Sequence, residues 1–382
     1  WMGAAAAFHV LVGGWSVIAT GICWLLAGSN RMSLRRMLPA VVAGGCLSLA
    51  GVLPSLGMSA NVSPEIAAEA NRIYVFGRLP HHLLFARFGM QRWLAFGMML
   101  VAFAALAWYV RQHARWRWLY RFALASLFIS MTGIVVDIVT APLPMVAASL
   151  LKFYWYRLAD VAVPMAVSIG IPSALAQFSL RQPRWAQIAW PIVLLGPALL
   201  IGTRFYELQR DFRPRAIAQS RSAQRRGVNR VRREYQAWYD VCDWIRQETP
   251  ADALFLTPRN QQTFKWYAHR AELGCWKDVP QDAASIVEWW QRMREVYPPA
   301  VATAGLGSWS DEQLQALSQR YEIDYIVVDR TRTQRPLGFQ RVYPPPSEST
   351  AIYEVYRMRT GSNKRTDVSA VPHFEQTGLA GT

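Results

Sequence analysis

Six apolar runs divide residues 1–203: 3–27, 37–59, 93–110, 122–141, 161–180 and 186–203. Each approaches the roughly 20 residues that a helix needs to cross a bilayer core about 30 Å thick. In lipid, every backbone polar group must be satisfied inside its own segment, so runs of this kind have one regular solution, the α-helix. Charge follows the same division. Residues 1–203 hold 15 of the 41 Lys/Arg and only 4 of the 25 Asp/Glu, and the remainder reads like a soluble chain. The mean hydropathy of +0.08 averages two unlike regions. The expected fold is therefore a membrane all-α bundle of about six transmembrane helices followed by a small soluble α/β domain. The expected boundaries are 1–203 for the bundle, 204–228 for a basic juxtamembrane segment, 229–359 for the α/β domain and 360–382 for a disordered tail.

The net charge of +16 does not point to nucleic acid. The arginines of the first region sit in short loops between apolar runs, and no helix-turn-helix, zinc-finger or RNA-binding motif is present. Arg31, Arg35 and Arg36 follow the first run, Arg111, Arg115, Arg117 and Arg121 the third, and Arg181 and Arg184 the fifth. All three loops fall on one side, cytoplasmic by the positive-inside rule. Loops 60–92 and 142–160 and the α/β domain then face outward, across the cytoplasmic (inner) membrane. The ten arginines of 204–233 oppose this orientation, but long segments translocate largely regardless of charge. The chain opens Trp1-Met2, with an apolar run almost at once and no basic leader. It reads as a fragment whose upstream part is missing.

Cys23 and Cys46 lie inside apolar runs. Cys242 and Cys275 share the α/β domain, where an oxidising location would permit a disulfide. In that domain, apolar residues from Val231 to Ile245 recur at helical spacing, and Thr249-Pro250 ends the pattern. Short strands are expected at 253–256, 271–276, 323–328 and 352–358, with helical stretches at 264–269, 282–296 and 311–320. Ser310 and Gln313 form a capping box for the last of these. Alternation of strands and helices predicts a mostly parallel sheet. Its strand ends, Thr257-Pro258-Arg259, Lys277-Asp278 and Asp329-Arg330, read mainly as turns, and no phosphate-binding glycine motif occurs. The sequence names no metal ligand set and no cofactor.

Three constellations carry possible chemistry. Loop 60–92 has a helix start at Ser63-Pro64-Glu65 and then Arg78, Pro80, His81 and His82. An arginine with two histidines beside a membrane can hold a phosphate and move a proton, although neighbouring histidines on a helix should diverge. Asp137 is an acid inside an apolar run. Such a residue is costly in lipid and is either functional or paired with Arg78 or Arg157. Lys152, Arg157 and Asp160 interleave with aromatics as in an interfacial helix. The expected catalytic residues are Asp137, His81 and His82, and the expected substrate-binding residues are Arg78, Lys152, Arg157 and Asp160. They should converge at the outer membrane interface; plain anchoring and ion pairing are the alternatives.

The stretches RIYVFGRLPHHL (72–83), LLKFYWYRLADVAVP (150–164), CDWIRQETPADALFLTPRNQQTFKWYAHR (242–270) and WKDVPQDAASIVEWWQRM (276–293) resemble a family of bacterial polytopic membrane proteins described as a domain of unknown function. The similarity covers most of residues 60–330. The layout also resembles GT-C glycosyltransferases, which implies a polyprenyl-phosphate-linked sugar as substrate. The catalytic carboxylate of those enzymes sits in the first outward loop, and no residue of this sequence matches it. Two functions follow. One is a GT-C-like glycosyltransferase of the cell envelope. The other is a non-catalytic membrane protein whose extracytoplasmic domain binds a partner or glycan in envelope assembly. A transporter ranks below both, since no inverted repeat is visible. Membrane lipids are the expected partners, and no nucleic acid is.

Overall fold

The computed structural model describes residues 1–28, 31–57, 62–110, 114–210, 228–333, 335–345 and 351–358. The expected tail, 360–382, and residues 211–227 of the expected juxtamembrane segment lie outside the described residues. The chain forms two compact units. One comprises Trp1–Phe212 with Val279–Gln291, and the other Arg213–Asp278 with Arg292–Thr382.

Among the described residues of the first unit, five helices are long and apolar enough to cross a membrane, with spanning parts Leu34–Gly57, Met90–Tyr109, Trp116–Thr140, Ala159–Arg181 and Pro183–Tyr206. They belong to helices α3 (Leu34–Gly57), α6 (Met90–Val110), α7 (Ala114–Thr140), α9 (Ala159–Arg181) and α10 (Pro183–Arg210). The apolar run 3–27 is not one helix. It breaks at His9 into α1 (Met2–Phe8) and α2 (Val10–Leu25). His9 leaves helical geometry at φ −147°, and its Nδ1 accepts the Val12 amide at 3.4 Å, as a capping side chain does. The 16 residues of α2 rise only about 24 Å, short of a full crossing. At the other end, residues 204–210 of the expected juxtamembrane segment continue α10 as helix.

Small residues let these helices approach closely. Gly3 of α1 meets Gly44 of α3 so tightly that a Cβ on Gly3 would stand 2.0 Å from the Gly44 carbonyl oxygen. α2 packs on α7 through Ala19, Cys23, Ala125 and Ile129. α6, α7 and α9 meet around Phe103, Tyr120, Ala123, Ala162 and Ala166.

The second unit holds a five-stranded sheet in the order β2-β1-β3-β5-β4, built from β1 (Leu254–Leu256), β2 (Ala271–Glu272), β3 (Tyr325–Asp329), β4 (Gln340–Tyr343) and β5 (Tyr353–Arg357). The expectation of a mostly parallel sheet holds for one half only. β1 pairs parallel with β2 and β3, whereas β5 runs antiparallel to both β3 and β4. The physical reason lies in the connections. A parallel neighbour needs a crossover of a dozen or more residues, usually helical, and no described residue between β3 and β5 is helical. Helix α11 (Val228–Glu248) covers one face of the sheet: Trp238, Val241, Cys242 and Ile245 pack on Phe255, Val327, Tyr353 and Val355. The expected helical stretches appear as α12 (Phe264–Ala268), α13 (Ala283–Val296) and, after the short α14 (Pro299–Ala304), α15 (Asp311–Tyr321). The Ser310–Gln313 capping box is formed. No disulfide joins Cys242 to Cys275. Cys242 is sealed in the helix–sheet core, and Cys275 occupies the turn after β2.

Candidate functional site

Loop 62–89 begins as read from the sequence: Ser63 caps α4 (Pro64–Arg72) by accepting the Ile66 amide. The chain then widens into a π-helix, Ile73–Arg78, closed by the Leu79 amide donating to the Tyr74 carbonyl at 2.9 Å. Pro80 starts the single turn α5 (Pro80–Leu83), where its missing N–H costs nothing. Val75 and Leu83 are buried against Ala147, Ala148 and Leu151 of α8 (Pro144–Leu151), so the loop lies on that helix. Trp290 of α13 packs on Ala70, Ile73 and Tyr74. A Cβ on Gly77 would stand 2.9 Å from the Trp290 ring.

This fold carries Arg78, His81 and His82 into one neighbourhood. The two imidazoles do not diverge: their centroids are 4.2 Å apart with the rings tilted by 44°. His82 is half-buried, and burial is the first cause that lowers its pKa to about 4. The charges of His81, Arg92, Arg157 and Arg78 act in the same direction. Arg92, in the first turn of α6, also donates to the His81 carbonyl at 3.1 Å. Arg157 and Arg92 both act on the carboxylate of Asp160, in the first turn of α9. Three guanidinium charges thus act on one imidazole, and two of them act on Asp160 as well.

Asp137 is half-buried, and its Oδ2 accepts the Phe85 amide at 2.8 Å. Among the described residues it forms no ion pair. A fixed backbone donor meets its charge without burying a second one. Asp137 thereby ties α7 to the end of the histidine loop. Beside it stands Tyr156, whose ring meets Phe88 edge-on at 5.2 Å. Burial, followed by the Asp137 charge, holds the Tyr156 phenol in its protonated form, and its oxygen is buried without a hydrogen-bond partner.

Residues Lys152–Arg157 form turns and not the expected interfacial helix, with Tyr154 at φ +54°. The Tyr154 hydroxyl meets that of Tyr74 at 2.9 Å. Lys152 takes a different partner from Arg157. Its Nζ donates to Asn71 Oδ1 at 3.2 Å and lies over the Phe153 ring, and burial lowers its pKa. It is not among the charges acting on His82 or Asp160.

Residues 236–296 match the profile of a family described as a domain of unknown function (DUF6798). The matched stretch runs from α11 to the end of α13. Together with the five apolar helices, the match fits a membrane protein carrying a domain of unknown function. No curated protein and no solved structure matches the chain.

Proposed function

We propose that this is an integral membrane protein of the cell envelope that holds a lipid-linked phosphate at the membrane interface. In this reading Arg78, Arg92 and Arg157 receive the phosphate around His82. The protein works as a GT-C-like glycosyltransferase on a polyprenyl-phosphate-linked sugar. The carrying observation is that Arg78, Arg92, Arg157 and His81 all act on one half-buried imidazole. Guanidinium groups match phosphate oxygens in charge and geometry, and a neutral imidazole at pH 7 can take a proton from an acceptor hydroxyl. Asp137 holds the loop in place, and Asp160 keeps Arg157 and Arg92 oriented when no phosphate is bound. The broken pair α1–α2 makes the first of six crossings, and the second unit lies outside the cytoplasm.

The test is binding of polyprenyl phosphate and of the matching polyprenol to the purified chain in detergent. The phosphate is expected to bind at least about tenfold more tightly, and Arg78→Ala and Arg157→Ala are each expected to remove that preference. Equal binding of the two lipids would sink the reading. Release of polyprenyl phosphate from the sugar-linked lipid in vesicles then separates enzyme from binder. The second reading, a non-catalytic protein whose extracytoplasmic domain binds a glycan or partner, draws on Trp266, which is 79% exposed on α12. An exposed indole face of this kind stacks well on a sugar ring or an aromatic partner.

A further inference from the structure

Among the described residues, three metal-capable side chains converge at one place, the carboxylates of Glu272 and Asp278 and the thiol of Cys275. Their donor atoms all lie within 4.8 Å of one another. All three sit in the second unit, Glu272 at the end of β2 and Cys275 and Asp278 on the turn that follows it, and within the residues that match the family profile. Spacing alone would make this an ordinary polar turn. The Glu272 side chain changes that, because it is fully enclosed at 0% exposure. One of its oxygens, Oε2, accepts from the Thr257 hydroxyl at 2.7 Å. The other, Oε1, is buried and accepts no hydrogen bond. An enclosed carboxylate oxygen lacking a donor is costly unless the acid is protonated or a cation meets it.

The structure assigns this turn as a binding site for a divalent metal ion of the zinc class, held by Glu272 Oε1, Cys275 Sγ and an Asp278 carboxylate oxygen. Thiolate with carboxylate is a donor set that zinc accepts, and three protein ligands leave a fourth position for water. Zinc ligands in a tetrahedral shell stand about 3.5 Å apart, so the cluster needs to contract by about 1 Å at most. Asp278, with its side chain 43% exposed, has the freedom to supply that movement. The enclosed side is already fixed. Thr257 holds Oε2, and the Tyr297 hydroxyl donates to the Thr257 carbonyl at 2.6 Å. Outer contacts of this sort orient a metal ligand.

Lys265 marks the same spot. Its ammonium lies 2.8 Å from Asp278 and 3.9 Å from Glu272 Oε1. With its side chain 47% exposed, it can swing out to water when a doubly charged ion takes its place. Lysine is the cation that a bound metal ion would displace.

The experiment titrates cobalt(II) into the full-length protein, purified in detergent without a histidine tag and stripped by chelator. One cobalt per chain is expected, with a thiolate-to-cobalt charge-transfer band that zinc abolishes. Cys275→Ser should remove the band, and Cys242→Ser should keep it. Asp278→Asn, at a half-exposed position, should weaken binding at least about tenfold, and Lys265→Gln should tighten it about tenfold by removing a competing charge. No stoichiometric uptake by the wild type would overturn the assignment. So would a band that survives Cys275→Ser, uptake without any thiolate band, or an affinity unchanged by Asp278→Asn.

Discussion

His82 shows how a residue's surroundings set its chemistry. An ordinary histidine gains its proton near pH 6.5, but the half-buried His82, under the charges of three arginines, does so only near pH 4. Between those values the unfolded chain binds the proton and the folded one refuses it. The stability this contributes is complete above pH 6.5 and is lost as pH falls toward 4. In melts of the detergent-solubilised protein from pH 7.5 to 4.5, the wild type should therefore lose more thermal stability across that window than His82→Gln. A bound phosphate reverses the sign at this one site: the imidazole then gains an anion, its proton affinity rises, and lipid phosphate should bind with proton uptake. Buffers of different ionisation enthalpy read that uptake in calorimetry. Several of these residues were legible one by one. Arg78, His81 and His82 stand out because polar groups are rare beside apolar runs. Arg92 was overlooked because an arginine at a helix start reads as a flank, and only the fold brings it to the His81 carbonyl. Glu272, Cys275 and Asp278 stand three residues apart, across the end of β2 and the turn after it, and by sequence alone Lys277-Asp278 is an ordinary turn.

At the scale of elements, local signals were readable and tertiary ones were not. Ser63-Pro64 and the Ser310–Gln313 box act within one turn of chain, so they appear in the structure as in the sequence. The break at His9 was not visible, because the residues around it are as apolar as any span. β4 escaped notice as well: Gln340–Tyr343 is a half-exposed edge strand with no apolar alternation. Two elements offer direct tests. Arg270 closes the end of α11, donating to the Arg246 carbonyl at 2.8 Å and to the Thr249 carbonyl at 2.6 Å. Arg270→Ala should cost about 1–3 kcal/mol, seen as a lower apparent Tm, because a charged donor to terminal carbonyls is lost. The π-helix is held flat under Trp290 by the bare backbone of Gly77. Gly77→Ala should cost about 1–3 kcal/mol through overpacking. Trp290→Leu in the same chain should relieve part of that cost, which a double-mutant cycle of melts reads as coupling.

For the whole molecule, the apolar helices were legible because the bilayer demands them, and the boundary between the two units was not. Orientation remains an inference from short-loop arginines. Alkaline phosphatase fused after residue 230 should be active and its fusion at residue 115 inactive; the reverse pattern would turn the proposed topology over. By sequence the α/β domain is one continuous stretch, 229–359, yet residues 279–291 belong to the membrane-helix unit. Spatial contacts decided this, above all Ile286 and Trp290 against Ala70 and Ile73. No pattern inside 279–291 announces which partner its apolar face will meet. A chain ending at residue 212 should therefore leave that face of α4 and the π-helix uncovered. It should melt at a lower temperature than the full chain, and a peptide covering 279–296 should restore part of the difference.

That interleaving has a consequence for how such a gene can change. Units encoded by uninterrupted stretches can be swapped, duplicated or lost by a single recombination event. Here a cut at any one point leaves one product without a piece of itself, because the chain leaves the first unit, returns for 13 residues and leaves again. The membrane helices and the residues 236–296 that match the family profile are bound to be inherited together. Wherever this arrangement occurs, the domain of unknown function should be found attached to apolar helices and not as a freely travelling module.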